Sequence, residues 1–87
     1  METFKEIKAF DVVAYLLSIG IKYIEPPIYR NGTVWFTYHE SPELEQHIRD
    51  FFSPHSRVNP NVFNAHLRAV NKLASSIKGS MGDGTNG

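Results

Sequence analysis

The polar residues best suited to bind a ligand lie in one stretch, RVNPNVFNAHLRAVNKLASSIK (57–78). This stretch carries asparagine, arginine and lysine but no acidic residue. Arginine and asparagine can pair with the edges of guanine and adenine, and lysine binds phosphate. The alternative is a solvated helix face on which cations serve solubility and the helix dipole. Asparagine is a poor helix former, and its repeated use favours a contact surface. The candidate nucleic-acid-binding residues are Arg57, Asn61, Asn64, Arg68, Asn71 and Lys72.

No catalytic or metal centre is predicted. The acidic residues are scattered, and the sequence lacks a G-x-S-x-G elbow and the glycine-rich phosphate loops. There are no cysteines, and the four histidines are separated by 8, 8 and 11 residues, which matches no local ligand motif. We therefore expect a non-enzymatic protein without a metal or cofactor.

The bulk composition predicts one small globular domain. The chain has 87 residues and a formal net charge of zero. Its charge is nevertheless polarised: residues 1–50 carry five basic and eight acidic side chains, whereas residues 51–82 carry four basic and none acidic. No apolar run approaches the ~18 residues of a membrane span, and METFKEIKAF is unlike a signal peptide. We expect a cytoplasmic protein that does not bind membranes.

The clearest local signal is a β-hairpin around Asn31-Gly32, because both residues of a type I′ turn need positive φ. Closure at Arg30 and Thr33 fixes the register, which pairs Ile28 with Trp35 and, further out, Pro27 with Phe36. The adjacent prolines 26 and 27 cannot donate to a strand ladder, so the first strand is expected to be bulged or at an edge. Residues 3–9 could add a third, edge strand.

Three helices are predicted from apolar periodicity and caps. The first covers about 11–19 and stops at Gly20, the second begins at SPEL (41–44), and the third begins at NPNV (59–62) and continues to about residue 78. The predicted N-caps are Asp11, Ser41 and Asn59. The third helix has an apolar stripe of Phe63, Leu67, Val70, Ala74 and Ile77, opposite its polar residues.

These elements predict an α+β fold of order α-β-β-α-α, in which an antiparallel hairpin packs on three helices. We expect residues 1–78 to form the domain and residues 79–87 to form a flexible tail, because GSMGDGTNG has no large apolar group except Met81. Both hairpin faces are apolar, so Ile28 and Trp35, on the second face, would form a protein interface if the helices cover only the first.

The motifs AYLLSIG (14–20), RNG (30–32), SPELEQHIRDFF (41–52) and RVNPNVFNAHLRAVNKL (57–73) resemble a small domain-of-unknown-function family of bacteria and their phages. The resemblance covers about residues 7–77. It implies no activity, but it implies a small accessory protein of a phage or mobile element. Asn61 stands where the family pattern leads us to expect a basic residue after the proline.

Two hypotheses follow. The first is a nucleic-acid-binding accessory module that contacts DNA or RNA through the last helix. The second is a protein-interaction module that binds a host or phage protein through Ile28 and Trp35. A homodimer through that hairpin face is compatible with either hypothesis. Exposed Arg68, Lys72 and Asn64 beside a buried Trp35 would favour the first, and an exposed Ile28–Trp35 patch the second.

Overall fold

The computed structural model describes residues 3–54 and 58–82. It contains the strands β1 (Phe4–Ile7), β2 (Ile28–Arg30) and β3 (Thr33–His39), and the helices α1 (Phe10–Ser18), α2 (Pro42–Phe51) and α3 (Pro60–Gly82). The strands form an antiparallel sheet of order β1-β3-β2. The α+β prediction and its third, edge strand are therefore confirmed.

The hairpin has the predicted register, with Arg30 opposite Thr33 and Ile28 opposite Trp35. Asn31 and Gly32 have φ values of 53° and 78°, which the type I′ turn requires. The pairing predicted beyond Ile28, with Pro27 opposite Phe36, is wrong.

The ladder between β2 and β3 ends at Ile28, and the chain rejoins β3 only where the Ile24 amide donates to the Thr37 carbonyl at 2.9 Å. Between these two contacts with β3, the first strand has three residues, two of them proline, whereas β3 has one residue. Because a proline nitrogen has no hydrogen to donate, the chain bulges at this edge of the sheet.

Helix α1 stops as predicted but begins differently. Gly20 has a φ of 90°, the Ile21 amide donates to the Leu16 carbonyl at 2.8 Å, and the Gly20 amide donates to the Leu17 carbonyl at 3.1 Å. This pair of hydrogen bonds around a glycine in the left-handed conformation is a Schellman motif. The prediction that Asp11 is the N-cap is wrong. The helix starts at Phe10 after Ala9, and the Asp11 carboxylate accepts a hydrogen bond from the neighbouring Val12 amide at 2.8 Å.

The other two caps are confirmed. The Ser41 hydroxyl accepts from the Leu44 amide at 3.0 Å, and the Asn59 side chain accepts from the Asn61 amide at 2.8 Å. Each of these two side chains accepts a hydrogen bond from an amide that has no partner within the first helical turn. The proline that follows each cap lies at a position where no backbone donor is needed. Helix α3 runs to Gly82, past the predicted boundary at 78. Residues 83–87, the remainder of the predicted tail, lie outside the described residues.

The core lies between one sheet face and the helices. Val34, Phe36 and Tyr38 of β3 share one buried cluster with Val13 and Leu16 of α1, which are fully buried. Helix α1 packs in turn against α2 and α3, and α3 contributes Val70 and Ala74. The helices therefore cover one face of the sheet, and Ile28 and Trp35 lie on the other. In the described part of the chain, no helix is long and apolar enough to cross a membrane.

Candidate functional site

The polar face of α3 is a long, exposed stripe. Asn61, Asn64, Arg68, Asn71 and Lys72 are all exposed. The heptad-like spacing of the stripe, 3, 4, 3, 4 and 3 residues, keeps it on one side of the helix. The residues with this spacing are Asn61, Asn64, Arg68, Asn71, Ser75 and Lys78. A helix of 23 residues is about 34 Å long, so the stripe can contact an extended ligand.

The cations of this stripe are without carboxylate partners in the described part of the chain. The two ion pairs found there are Lys5 with Glu45 at 3.1 Å and Arg30 with Glu6 at 2.7 Å, and neither involves α3. The described residues of α3 contain no acid. Arg68 and Lys72 therefore present a concentrated positive charge to solvent.

The asparagines of the stripe differ in their bonding. The side-chain amide of Asn71 (Nδ2) donates to the Leu67 backbone carbonyl, four residues earlier, at 2.9 Å. This bond engages a donor of the Asn71 side chain within its own helix. The side-chain amides of Asn61 and Asn64 have no hydrogen-bond partner among the described residues, so they are the ones open to a ligand. Arg57, the remaining predicted contact residue, lies outside the described residues.

The outer face of the sheet is the second candidate surface. Trp35, on this outer face, is half-buried. The Arg30 guanidinium lies 5.1 Å and the Lys8 ammonium 5.7 Å from the centroid of its ring. Arg30 crosses β3 to reach Glu6 on β1, and both the hydrogen bond and the charge of Glu6 raise the pKa of Arg30 above its ordinary value. The indole is thus covered by the protein's own cations. Next to it, Ile28 is 42% exposed.

A cavity of about 350 Å³ opens at a different place, where the loop after α1 meets the start of α2. Its lining combines apolar and charged side chains from two segments that are distant in the sequence, residues 21–24 and residues 38–47. The lining residues are Ile21, Lys22, Ile24, Tyr38, His39, Ser41, Glu43, Leu44 and His47. Folding therefore brings His39 and His47 to one cavity, but the described residues include no group of three or more His, Asp or Glu that could hold a metal ion.

Tyr38 forms part of this lining and is 1% exposed. Its hydroxyl group has no hydrogen-bond partner among the described residues. Burial, and to a smaller extent the nearby Tyr23, raise the pKa of Tyr38 well above its ordinary value, because the phenolate would be poorly solvated there. The hydroxyl is therefore a neutral, unsatisfied polar group.

Neither the cavity nor the cluster over Trp35 was predicted from the sequence. The charge at positions 6, 8 and 30 was visible, but nothing local indicated that β1 and β2 would flank β3. For the cavity, the available signal was the repeated combination of His with Glu, at the end of β3 (His39, Glu40) and in α2 (Glu43, His47). That signal gave no distances.

The structure defines a class of protein: a small α+β domain whose three helices cover one side of a three-stranded antiparallel sheet. A family model, described as Domain of unknown function (DUF5659), matches residues 1–76. The chain belongs to this family. No curated protein matches the chain, and no solved structure does.

Proposed function

We propose that the protein is a non-enzymatic accessory module that binds nucleic acid through the exposed polar face of α3. The observation that carries the proposal is that Arg68 and Lys72 are exposed and without a carboxylate partner on a helix without acidic residues. Binding of cationic side chains to phosphates releases condensed counterions, which favours binding. Cations that are already paired with carboxylates contribute less to this favourable free energy.

The roles within the stripe follow from chemistry. Arg68 and Lys72 are one helical turn apart and can hold successive phosphates, with Lys78 extending the charge towards the end of the helix. The free amides of Asn61 and Asn64 can donate to and accept from base edges. Arg57, just before the helix, belongs to the proposed surface on the sequence argument alone.

The contrast with the outer sheet supports this choice. Trp35 is half-buried under Arg30 and Lys8, so its ring is not free to stack on a base. Arg30 is also held by Glu6. On the sheet, Arg30 pairs with Glu6 and both cations lie over Trp35, whereas Arg68 and Lys72 of α3 have no such contact among the described residues.

The test is fluorescence anisotropy with labelled duplex and single-stranded oligonucleotides over a salt series. The variant Arg68→Glu/Lys72→Glu is compared with Lys8→Glu/Lys22→Glu, which changes the net charge equally at other sites. We expect the first to abolish salt-sensitive binding and the second to retain most of it. Circular dichroism checks that both variants fold. Equal losses in the two variants, or no binding by the unaltered protein at low salt, would reject the proposal.

A second function has its own supporting observation. Phe4 and Ile28 on the outer sheet face are 53% and 42% exposed, which favours a protein contact by a homodimer or with a host or phage protein. Sedimentation velocity of the protein and of Ile28→Lys tests the homodimer, and a pull-down with Trp35→Ala as control tests another partner. A monomer that captures nothing sensitive to these variants would exclude this function.

The cellular setting is also part of the proposal. The resemblance noted above suggests an accessory protein of phage or mobile-element type, acting in the cytoplasm. The absence of catalytic activity is likewise an expectation. It rests on the scattered acids and the missing catalytic motifs in the sequence.

A further inference from the structure

The cavity between the loop after α1 and the start of α2 lies apart from the polar face of α3 and from Trp35. Its volume of about 350 Å³ lies at the lower end of the range for small-molecule sites. One part of the lining is apolar and consists of Ile21, Ile24 and Leu44. It can hold an aliphatic group of a few carbon atoms.

The charges of the cavity are the informative feature. Lys22 and Glu43 line the same cavity, but they form no ion pair with each other or with any other residue in the described ranges 3–54 and 58–82. The cavity thus offers one cation and one anion that do not neutralise each other. A ligand that carries both charges would satisfy both groups.

We infer that this cavity binds a small zwitterion with an aliphatic side chain, of the chemical class of the free aliphatic amino acids. The ligand carboxylate meets Lys22, its ammonium group meets Glu43, and its side chain packs on Ile21, Ile24 and Leu44. His39 and His47, which also line the cavity, supply further hydrogen-bonding groups. This inference is independent of the proposed nucleic-acid binding, because none of these residues belongs to α3.

The test is a titration of the ¹⁵N-labelled protein with L-leucine, followed by two-dimensional NMR. Two matched probes each lack one charge: isovalerate has no ammonium group, and isopentylamine has no carboxylate. We expect saturable shifts confined to residues 21–24 and 38–47, with leucine binding more tightly than either probe. Each lost contact is an exposed ion pair, so the expected weakening is about three- to fivefold.

Variants assign the two charges separately. Lys22→Gln is expected to weaken leucine and isovalerate but not isopentylamine, and Glu43→Gln to weaken leucine and isopentylamine but not isovalerate. Lys78→Gln, on α3, is the control and should leave all three unchanged. The absence of saturable shifts with leucine, equal binding of the three probes, or shifts centred outside the cavity would overturn the inference.

Discussion

Two surfaces of this small domain carry cations, and they use them differently. On the outer sheet, Arg30 and Lys8 lie over Trp35, and Arg30 is held by Glu6. On α3, Arg68 and Lys72 are exposed, and no carboxylate of the described residues pairs with them. The same residue types therefore stabilise the fold on one surface and are available to a ligand on the other. Contacts with Trp35 and Glu6, and not the number of charges, distinguish the outer sheet from α3.

The largest effect is expected from neutralising the cations of α3. Arg68→Gln/Lys72→Gln should lower affinity for an oligonucleotide by about 10²-fold at 50 mM salt, since two phosphate contacts are lost. The matched variant Lys8→Gln/Arg30→Gln, on the outer sheet, should change affinity by less than about threefold. Anisotropy titrations at one salt concentration measure both. A larger loss in the sheet variant would reverse the assignment of the two surfaces.

Removing the indole from the outer sheet tests the structural role of that surface. Trp35→Ala should reduce the free energy of unfolding by about 2 kcal/mol, because a large half-buried ring and its cation contacts are lost. Urea denaturation followed by circular dichroism measures the change. Oligonucleotide affinity, measured where the variant is folded, should stay the same. A stable variant that no longer binds would show that Trp35 is a contact residue.

A core variant reports on stability without altering either surface. Tyr38→Phe removes a buried hydroxyl that has no partner in the described part of the chain, and should raise the free energy of unfolding by about 1 kcal/mol. Thermal unfolding at neutral pH checks this value. A loss of stability would instead show that the hydroxyl has a stabilising partner.

The same residue predicts a response to alkali. Folding raises the pKa of Tyr38, so titration of this group leaves the free energy of unfolding unchanged below the unfolded phenol value of about 10 and lowers it as pH rises above that value. Stability measured between pH 9 and 11 should therefore fall more steeply in the unaltered protein than in Tyr38→Phe. Parallel curves would contradict the buried, neutral phenol.

The smallest expected effects separate two asparagines of α3. Asn71→Ala and Asn64→Ala should each raise the free energy of unfolding by about 0.5 kcal/mol or less through helix propensity. Asn71 bonds to its own helix, so its replacement should leave oligonucleotide affinity unchanged. Asn64→Ala should weaken binding about threefold or more, as expected for a lost hydrogen bond. Equal affinities for the two variants would remove Asn64 from the proposed contacts.

The elements that the sequence predicted correctly depend on local chemistry. Asn31-Gly32 determines the hairpin turn, Gly20 ends α1, and Ser41 and Asn59 cap their helices. Each of these signals acts within a few residues. Asp11 failed as a cap because α1 begins at Phe10, so that its N-cap is Ala9, two residues earlier.

The features that were not predicted depend on distant segments. Arg30 meets Glu6 only because β1 and β2 lie on opposite sides of β3, and the cavity needs α2 to begin beside the loop after α1. Both hairpin faces are apolar in the sequence, and only the packing of the helices against Val34 and Phe36 determined which face is buried. The polar stripe of α3 was predictable because helical periodicity alone places its residues together.

The most direct test of the central claim is the dependence of oligonucleotide affinity on salt, measured for the unaltered protein and for Arg68→Gln/Lys72→Gln. If these two side chains bind phosphates, the slope of log affinity against log salt concentration should become less steep by about 1.4 to 1.8, for single-stranded and duplex ligands respectively. An unchanged slope, with or without a change in affinity, would contradict the account, because α3 would then make no phosphate contacts through these cations.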